Sequence, residues 1–294
     1  MGKSTLALIV TYNRLSDLKI CVEAVRMQTY KDFNILVVNN GSTDGSKEWL
    51  AQQADIITIN QNNLGGAGGF YAGMKYMYDN GYEWLVMMDD DGIPDKNEIV
   101  ELISAHQEVS AQEGKEVILN ALVADKDNKD YTAFLWARGS ERTNKIFELQ
   151  SEVFFNDIHP FNGTLVKRTV IQKIGMIKKE MFIWGDEKEY MARAIHNGIG
   201  LYTIPAAIHY HPKEKGKKGN IIPFVSRYQI LVKPKKMSHY YYRNEGFVYN
   251  TYPEKKKNMM AFCTAQVVYN ITHFRFLELA KFIKYFRKGM HNEY

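Results

Sequence analysis

Short apolar runs alternate with amphipathic stretches through the first hundred residues, and this alternation constrains the fold most strongly. The apolar runs have the length of buried strands and comprise residues 6–10, 33–38, 56–59 and 84–88. Between them, residues 15–25 and 70–78 repeat their apolar positions at helical spacing. Strands separated by helices favour a mostly parallel sheet with helices on both faces. We therefore predict an α/β fold.

Loops rich in Gly, Asn or Asp follow each of these strands. They comprise residues 11–13, 39–45, 60–69 and 89–91. Because the carboxyl ends of parallel strands meet at one edge of a sheet, we expect these loops to gather on one rim. Sheets of this kind bind ligands at that edge, so the convergence predicts a nucleotide site.

The pattern is less regular after residue 94. Asp95, with Glu98 three residues on, predicts an N-cap and its capping partner for a helix that continues to Ser110. Strands are predicted over residues 117–123, 134–147 and 206–210, and a short helix is predicted directly after residues 164–166. Helices are predicted over residues 186–197 and 258–288, the latter as one long helix or a helix pair. The basic residues 213–219 predict a loop.

Cysteine content and hydropathy argue against several classes of protein. The two cysteines, Cys21 and Cys263, lie far apart and outside any C-x-x-C spacing, which supports neither a disulfide framework nor a zinc knuckle. The N-terminal residues lack the apolar core of a signal peptide. No apolar run approaches the roughly 18 residues that span a bilayer. We expect a soluble or peripheral cytoplasmic protein.

The net charge of +5 is distributed unevenly along the chain. Between residues 213 and 257, lysines and arginines far outnumber the three glutamates Glu214, Glu245 and Glu254. This asymmetry predicts a polyanionic partner for the C-terminal third.

Three adjacent aspartates, Asp89, Asp90 and Asp91, directly follow the apolar run 84–88. Neighbouring carboxylates repel one another, so they persist either around a cation or in open solvent. In extended geometry Asp89 and Asp91 point the same way, and both could reach one hard cation that bridges diphosphate oxygens. With the adjacent loops we favour a metal site, and an exposed acidic turn before Gly92 is the alternative.

A glycine cluster spans residues 63–70 and opens a predicted helix. Glycine lets backbone N–H groups approach a phosphate or a sugar closely, and a helix N-terminus favours an anion. No Gly-Lys-Ser/Thr follows, so the cluster is not a P-loop. A flexible turn is the alternative.

Two further groups of residues bear chemistry. Trp184 lies shortly before Asp186 and Glu187 at the start of a predicted helix, which suits a sugar platform beside a general base. The alternative is a pair of carboxylates that the helix dipole stabilises. His209 and His211 share one face of a predicted strand, where either could ligate a metal or serve as a structural hydrogen-bonding group.

These motifs occur in an order that resembles glycosyltransferase family 2, the inverting enzymes of the GT-A fold. The motifs are residues 11–14, 37–45, 63–70, 89–91, 184–187, 211–212 and 241–244. The resemblance is closest to bacterial galactofuranosyltransferase- and rhamnosyltransferase-like members. It covers residues 5 to about 250, not the tail beyond 255, and implies a Rossmann-like, mostly parallel sheet flanked by helices; the helical pattern of residues 258–288 adds a helical C-terminal extension.

The resemblance implies roles for individual residues. Donor contacts fall to Thr11, Asn13, Arg14, Asn39, Asn40, Asp44, Asn63, Gly65, Gly66, Asp89 and Asp90. Acceptor contacts fall to Trp184 and Gly163. The implied ligands of Mn²⁺ or Mg²⁺ are Asp89, Asp91 and His211, with His209 as the alternative. The implied general base is Glu187; Asp186 stays open because the family commonly has Asp where Glu187 stands. Asn39 stands where the family often has Asp, which leaves uracil specificity open.

The resemblance also implies the reaction. It is the inverting transfer of a sugar from a nucleotide diphosphate donor, best matched by UDP-galactofuranose, to a hydroxyl of a cell-surface glycan or a lipid-linked acceptor. The alternatives are a rhamnosyltransferase that uses dTDP-rhamnose and a non-catalytic module that binds a nucleotide sugar or a glycan. We expect no nucleic acid as a partner, and a homo-oligomer remains open.

The resemblance and the C-terminal composition together predict the domain organisation. We expect a catalytic domain over residues 1–235, with a nucleotide-sugar half to about 115 and an acceptor half from 116, and a helical extension over residues 236–294. In the extension, apolar residues alternate with basic ones; the apolar ones are Phe274, Phe276, Leu277, Leu279, Phe282, Ile283 and Phe286. Such a helix either lies on anionic lipid, at the inner face of the cell membrane, or packs on the catalytic domain or a dimer partner.

Overall fold

A computed structural model of the chain describes residues 3–136, 143–149, 153–155, 157–213, 218–223, 225 and 228–294. The chain divides into two compact units. The first comprises Met1–Lys179 and Asn197–Glu214, and the second comprises Glu180–His196 and Lys215–Tyr294. The predicted domain boundary after residue 235 stays a proposal. Within the described residues, no helix is both long enough and apolar enough to cross a membrane.

The strands of the described residues are β1 (Thr5–Thr11), β2 (Phe33–Asn39), β3 (Ile56–Asn60), β4 (Trp84–Asp89), β5 (Ile93–Pro94), β6 (Val117–Asp125), β7 (Phe154–Phe155), β8 (Asn162–Lys167), β9 (Gly200–His211), β10 (Lys218–Asn220) and β11 (Gln229–Leu231). The α-helices are α1 (Leu15–Arg26), α2 (Ser46–Leu50), α3 (Gly65–Asp79), α4 (Glu98–Glu113), α5 (Ile146–Leu149), α6 (Arg168–Ile174), α7 (Asp186–His196), α8 (Ser238–Thr251), α9 (Pro253–Lys256), α10 (Met259–Thr272) and α11 (Phe276–Met290). A short 3₁₀ helix spans Lys179–Met181.

The first unit is built on a sheet with the strand order β3-β2-β1-β4-β8-β6-β9-β5, with β7 also paired to β9. Strands β1 to β4 are parallel to one another, and β6 runs parallel to β9. Strand β8 joins these two groups and is antiparallel to both β4 and β6. The predicted α/β fold, a mostly parallel sheet flanked by helices, is confirmed.

Strand β1 is central, and its sequence explains its place. Every residue from Thr5 to Thr11 is buried, as expected for a parallel strand covered on both faces. Helix α1 packs its buried residues at positions i, i+3, i+4 and i+7, namely Leu18, Cys21, Val22 and Val25. The periodicity of residues 15–25 therefore predicted both the helix and the face that it buries.

The carboxyl ends of the four parallel strands lie level. Thr11 pairs with Asn39, Asn39 pairs with Asn60, and Val10 pairs with Asp89. The loops that follow these strands therefore start from one edge of the sheet, and the predicted rim is confirmed.

Helix α3 begins at Gly65, five positions before the predicted start, so the glycine cluster lies within the helix. A Cβ on Gly69 would overlap the side chain of Val10, and a Cβ on Gly73 would overlap that of Leu8. At Gly66 a Cβ would meet nothing within 4 Å. Some of these glycines therefore serve the close packing of α3 on β1, whereas Gly66 opens onto free space.

Two local predictions were wrong. The N-cap of α4 is Asn97, and its backbone N–H donates to Asp95 Oδ1 at 3.1 Å. The side chain of Glu98 points into the core, so the predicted capping pair does not form. The predicted strand over residues 134–147 is also not seen where the structure describes that range, because Lys145 makes only an isolated bridge and α5 begins at Ile146. Residues 137–142 lie outside the described residues.

In the second unit, α8, α10 and α11 share a cluster that includes Tyr242, Tyr249, Phe282 and Phe286. The described part of the basic residues 213–219 includes Lys218, which begins β10; residues 214–217 lie outside it. Of the two C-terminal possibilities, the helix pair is correct, since α10 ends at Thr272 and α11 begins at Phe276.

Candidate active site

The three adjacent aspartates form a turn at the end of β4. The strand ends at Asp89, and the N–H of Gly92 donates to the Asp89 carbonyl at 3.2 Å. The expectation that Asp91 continues the extended geometry was therefore wrong. Asp90 turns inward and is only 3% exposed, because the hydroxyl of Thr11 donates to its carboxylate at 2.7 Å. We call residues 89–91 the acid turn.

Arg14 and His211 flank the acid turn. Arg14 Nη1 donates to Asp91 Oδ2 at 2.6 Å and to Asp90 Oδ1 at 3.2 Å. On the other side, His211 Nε2 lies 3.3 Å from Asp91 Oδ1. His211 Nδ1 is 2.7 Å from the carbonyl of Pro212, to which it can donate. That hydrogen bond orients the ring so that Nε2 faces the carboxylate.

The pKa values of the acid turn diverge. Burial alone would raise the pKa of Asp91, but the hydrogen bond and charge of His211 and the charge of Arg14 outweigh it and lower the pKa to about 2. Burial raises the pKa of Asp90 to about 6. Burial, followed by the charges of Asp91 and Asp90, raises the pKa of Asp89 to about 7. The raised pKa values of Asp89 and Asp90 therefore result mainly from burial.

These groups fit a hard divalent cation. Carboxylate oxygens and a neutral imidazole nitrogen are ligands that Mg²⁺ and Mn²⁺ accept. Across the described ranges, however, no three His, Cys, Asp or Glu side chains are grouped as a complete metal site. Asp91 and His211 are therefore an adjoining pair rather than a cage. Mg²⁺ is typically held in this way, by one or two protein carboxylates, with substrate phosphates and water completing the shell.

Aromatic rings continue from His211. The ring of Phe134 lies 4.9 Å from that of His211 and 5.1 Å from that of His159, and Trp136 lies 4.9 Å from His159. Burial lowers the pKa of His159, which favours its neutral form. No sequence motif marks these residues. They come together only in the fold, through β9 and the segments before β8.

Two predicted donor residues organise the loops at the strand ends. Asn13 has a left-handed backbone (φ 53°), and its Oδ1 accepts the N–H of Thr43 at 2.7 Å. Asp44 accepts the N–H of Leu15 at 2.8 Å and that of Ser46 at 3.1 Å. Both oxygens of Asp44 therefore tie the loop after β2 to the starts of α1 and α2.

Asn39, Asn40 and Asn63 also bind neighbouring loops. The Oδ1 of Asn39 accepts the N–H of Ser42 at 3.0 Å, and the residue is 2% exposed. Asn40 is equally buried and donates to the carbonyl of Gly65 at 2.8 Å. Asn63 Oδ1 accepts the N–H of Gly65 at 2.9 Å. Contact between these amides and a donor stays a proposal.

Gly163 and His209 lie in the packed interior. His209 is 0% exposed, and its Nδ1 lies 2.8 Å from Glu98 Oε2, which is also fully buried. A Cβ on Gly163 would come within 2.7 Å of Glu98 Oε1, and a Cβ on Gly92 would overlap His209 Nε2. Of the two histidines considered as ligands, only His211 reaches the acid turn. Gly163 is accounted for by packing.

The predicted base lies in the second unit, at the start of α7. Asp186 is 4% exposed, whereas Glu187 is partly exposed and accepts the N–H of Gly185 at 3.1 Å. The turn before them is unusual, because Trp184 has a φ of 57° and Gly185 a φ of 119°. Left-handed backbone at a bulky residue is costly and persists only where the surroundings hold it.

The chain is similar to known glycosyltransferases. The sequence profile of the family Glycosyl transferase family 2 matches residues 7–182. The chain is 29% identical to galactofuranosyltransferase GlfT1 of Mycobacterium tuberculosis, over 84% of this chain and 83% of the relative. It is 24% identical to the dTDP-rhamnosyl transferase RfbF of Shigella flexneri, over 70% of this chain and 68% of the relative.

Solved structures agree in fold. GalNAc-T7 with UDP, GalNAc and Mn²⁺ superposes with a TM-score of 0.63 at 14% identity, over 98% of this chain and 56% of that one. TarS of S. aureus superposes with a TM-score of 0.55 at 12% identity, over 94% and 43%. The chain thus spans about half the length of these structures. Because the family match covers more than half of the chain, the protein belongs to glycosyltransferase family 2 and is a glycosyltransferase with a GT-A-like fold.

Proposed function

We propose that this protein is an inverting galactofuranosyltransferase. It moves the sugar from a UDP-galactofuranose-like donor to a hydroxyl of a cell-surface glycan or a lipid-linked acceptor. The observation that carries the proposal is the acid turn, which stands level with the ends of β1, β2 and β3 and has His211 beside Asp91. The galactofuranosyltransferase relatives support the choice of sugar, and the dTDP-rhamnosyl relative keeps dTDP-rhamnose as the second candidate.

The donor binds at the rim of the first unit. Its diphosphate lies at the acid turn, and Gly66 leaves open space at the start of α3 for the sugar or a phosphate. The exposed Asn13 and Thr43 lie on the loops after β1 and β2, respectively, and contact the nucleoside. Asn39 and Asn40 are each 2% exposed and stabilise these loops from within the protein.

Asp91 and His211 would hold a Mn²⁺ or Mg²⁺ ion, with Asp89 at the end of β4 as the further candidate ligand. That ion supplies charge compensation for the departing diphosphate. The support is chemical: carboxylates and an imidazole are ligands that these ions accept, and the Mn²⁺-containing solved structure shares the fold.

Glu187 acts as the general base. It removes the proton from the acceptor hydroxyl, and the oxygen attacks the anomeric carbon of the donor sugar. The bond from that carbon to the diphosphate oxygen breaks, and the nucleoside diphosphate leaves with the electron pair. One displacement of this kind inverts the anomeric configuration. Glu187 is preferred over Asp186 because it is the more exposed carboxylate, and Trp184 provides an apolar face for the acceptor.

A donor panel tests the sugar and the base of the nucleotide. UDP-galactofuranose, UDP-galactopyranose, dTDP-rhamnose and GDP-mannose are added with Mn²⁺, and the melting temperature and the release of nucleoside diphosphate are measured. We expect UDP-galactofuranose to give the largest shift and the fastest release. A response to dTDP-rhamnose alone would replace the sugar assignment. Binding without any release, in the presence of acceptor, would make the protein a non-catalytic module.

Amide variants test the base. Glu187→Gln should lower kcat by at least about a hundredfold, the lower range for loss of a general base, with little change in donor affinity. Asp186→Asn should lower it less. The reverse order would assign the base to Asp186. Full turnover by both variants would leave the two carboxylates with only a helix-dipole role.

A further inference from the structure

Helix α11 has one face that the second unit buries. Phe282 and Phe286 are 3% and 6% exposed and belong to the cluster that also contains Tyr242 of α8. A Cβ on Gly289 would overlap the backbone carbonyl of Arg243, so α11 and α8 lie in close backbone contact. Packing of α11 within the unit is therefore accounted for by this face alone.

Other apolar side chains of the same region remain exposed. At the turn between α10 and α11, the exposed fractions are 47% for Ile271, 82% for Phe274, 59% for Phe276 and 88% for Leu277. We call these four residues the apolar tip. Phe274 adopts a left-handed backbone (φ 54°) that ends α10, since its N–H donates to the carbonyl of Ile271 and that of Arg275 donates to the carbonyl of Asn270. This cap accounts for the backbone of Phe274 but not for the exposure of its ring.

The exposed charge along residues 259–292 has a single sign. Glu278 is the only acidic residue between residues 259 and 292, and it is buried and bonded to Ser238 and Lys281. The cations of the same stretch are Arg275, Lys281, Lys284, Arg287 and Lys288. The accessible surface of α10 and α11 is therefore basic and apolar and has no exposed carboxylate.

We propose that the apolar tip inserts into a bilayer that contains anionic lipid, with the neighbouring lysines and arginines on the headgroups. Cations beside apolar side chains match the chemistry of such an interface, where long basic side chains reach the headgroups while the apolar groups enter the acyl region. The tip exposes on the order of 500 Å² of apolar surface, if each large side chain has about 150–250 Å². A second copy of the chain would bring the same cations against those of the first, and such like-charge contacts oppose self-association.

Vesicle flotation with the full chain tests this surface. The vesicles are phosphatidylcholine alone or with phosphatidylglycerol, at low and high salt. We expect binding only to the anionic vesicles, weakened by salt. The double variant Phe274→Asn, Leu277→Gln should bind at least about tenfold more weakly without loss of thermal stability, since both side chains are exposed. Lys284→Gln with Arg287→Gln should also weaken binding.

Met27 provides the matched control, because it is 70% exposed and lies in the first unit. Met27→Gln should bind vesicles like the wild type. Failure of the wild type to float at low salt would overturn the proposal, as would unchanged binding by the tip variant. Sedimentation that shows a wild-type dimer and a monomeric tip variant, without vesicle binding, would reassign the tip to self-association.

A second inference concerns the turn that carries the proposed base, and it rests on the proposed function. The Nδ2 of the buried Asn244 on α8 donates to the carbonyls of Met181, Ile183 and Trp184 at 2.9, 3.0 and 2.9 Å. A Cβ on Gly185 would come within 2.9 Å of Asn244 Cβ. One amide therefore holds the carbonyls of a turn whose backbone is left-handed at Trp184 and Gly185.

Arg243 supports the same arrangement. Its Nη2 donates to the carbonyl of Glu180 at 2.7 Å, and its Nε donates to Asn244 Oδ1 at 3.2 Å. Because the Oδ1 of Asn244 accepts the hydrogen bond from Arg243, the Nδ2 of Asn244 faces the turn. We infer that Asn244 is a positioning residue, which sets the direction in which α7 presents Glu187.

Asn244→Asp tests this role, because the aspartate has the same shape but faces three carbonyls with an acceptor. We expect kcat to fall at least about tenfold, with unchanged KM for the donor, and Asn244→Ala to be less impaired. The control is Asn250→Ala on the same helix, which removes one exposed hydrogen bond to Met290 and should leave kcat unchanged.

The base variants keep the two questions apart. If Glu187→Gln and Asp186→Asn retain full turnover, the proposed base fails whatever Asn244 does. If either base variant is inactive but Asn244→Asp turns over normally, the positioning role is wrong. Equal losses in kcat and in donor binding would mark Asn244 as structural only.

Discussion

Replacing Arg14 with glutamine removes a cation that contacts two carboxylates of the acid turn. The side chain of Arg14 is 48% exposed, whereas those of Asp90 and Asp91 are 5% and 17% exposed. Breaking a fully buried pair costs about 3–5 kcal/mol, and breaking an exposed pair costs about 0.2–1 kcal/mol. With one partner half-exposed, we expect a loss of about 1–2 kcal/mol in the free energy of unfolding without divalent cation. For a chain of this size that lowers the melting temperature by about 2–8 °C.

Divalent cation should reverse much of this loss. Arg14 and a bound ion would share Asp91, so removal of the arginine should raise the affinity for Mn²⁺ by about tenfold, or ~1.4 kcal/mol. The assay is thermal denaturation of both proteins in EDTA and across a Mn²⁺ titration. The midpoint of the titration should fall in the variant, and the gap in melting temperature should narrow.

Arg26 gives the matched control. It pairs with Asp55 and Glu23, whose side chains are 54% and 65% exposed. Arg26→Gln should cost no more than about 1 kcal/mol and leave the Mn²⁺ response unchanged. An Arg14→Gln variant as stable as the wild type in EDTA would show that Arg14 does not hold the turn. Equal Mn²⁺ midpoints would place any bound cation away from Asp91.

Further substitutions test the packing around the site, each by urea denaturation. Gly73→Ala should destabilise the chain by about 1–3 kcal/mol because its Cβ would overlap a side chain of β1. Gly66→Ala, into open space, should stabilise it by up to about 1 kcal/mol; the opposite order would contradict the packing of α3. His209→Ala should cost about 3–5 kcal/mol because it leaves a buried carboxyl without its partner, and Glu98→Gln should cost less, since its oxygen still accepts a hydrogen bond; equal losses would contradict the hydrogen bond between the two side chains. Gly289→Ala should cost at least about 2 kcal/mol because backbone atoms block its Cβ, and a neutral result would contradict the contact of α11 with α8.

The sheet and its rim could be predicted from the sequence because they depend on local patterns. Apolar runs such as residues 6–10 identify buried strands, and the parallel order brings their following loops to one edge. The acid turn was recognised for the same reason, since its three carboxylates are adjacent in the chain. The family motifs then supplied roles that spacing alone does not give.

The errors arose where distant side chains determine the local geometry. Asp90 leaves the extended conformation because Thr11, far back in the chain, donates to it. Glu98 follows a capping pattern but pairs with His209, more than a hundred residues later. Asn244 fixes the turn at Trp184 across 60 residues of the chain. No window of sequence contains both partners of any of these contacts.

The glycines at the start of α3 have a consequence for how such a motif is interpreted. In the sequence Gly66 and Gly69 belong to one uniform motif, yet Gly69 is closed to any side chain and Gly66 is open. A comprehensive substitution survey should therefore separate them into an intolerant position and a permissive one. A glycine-rich motif of this kind combines positions required for helix–strand packing with positions that are free to face a ligand.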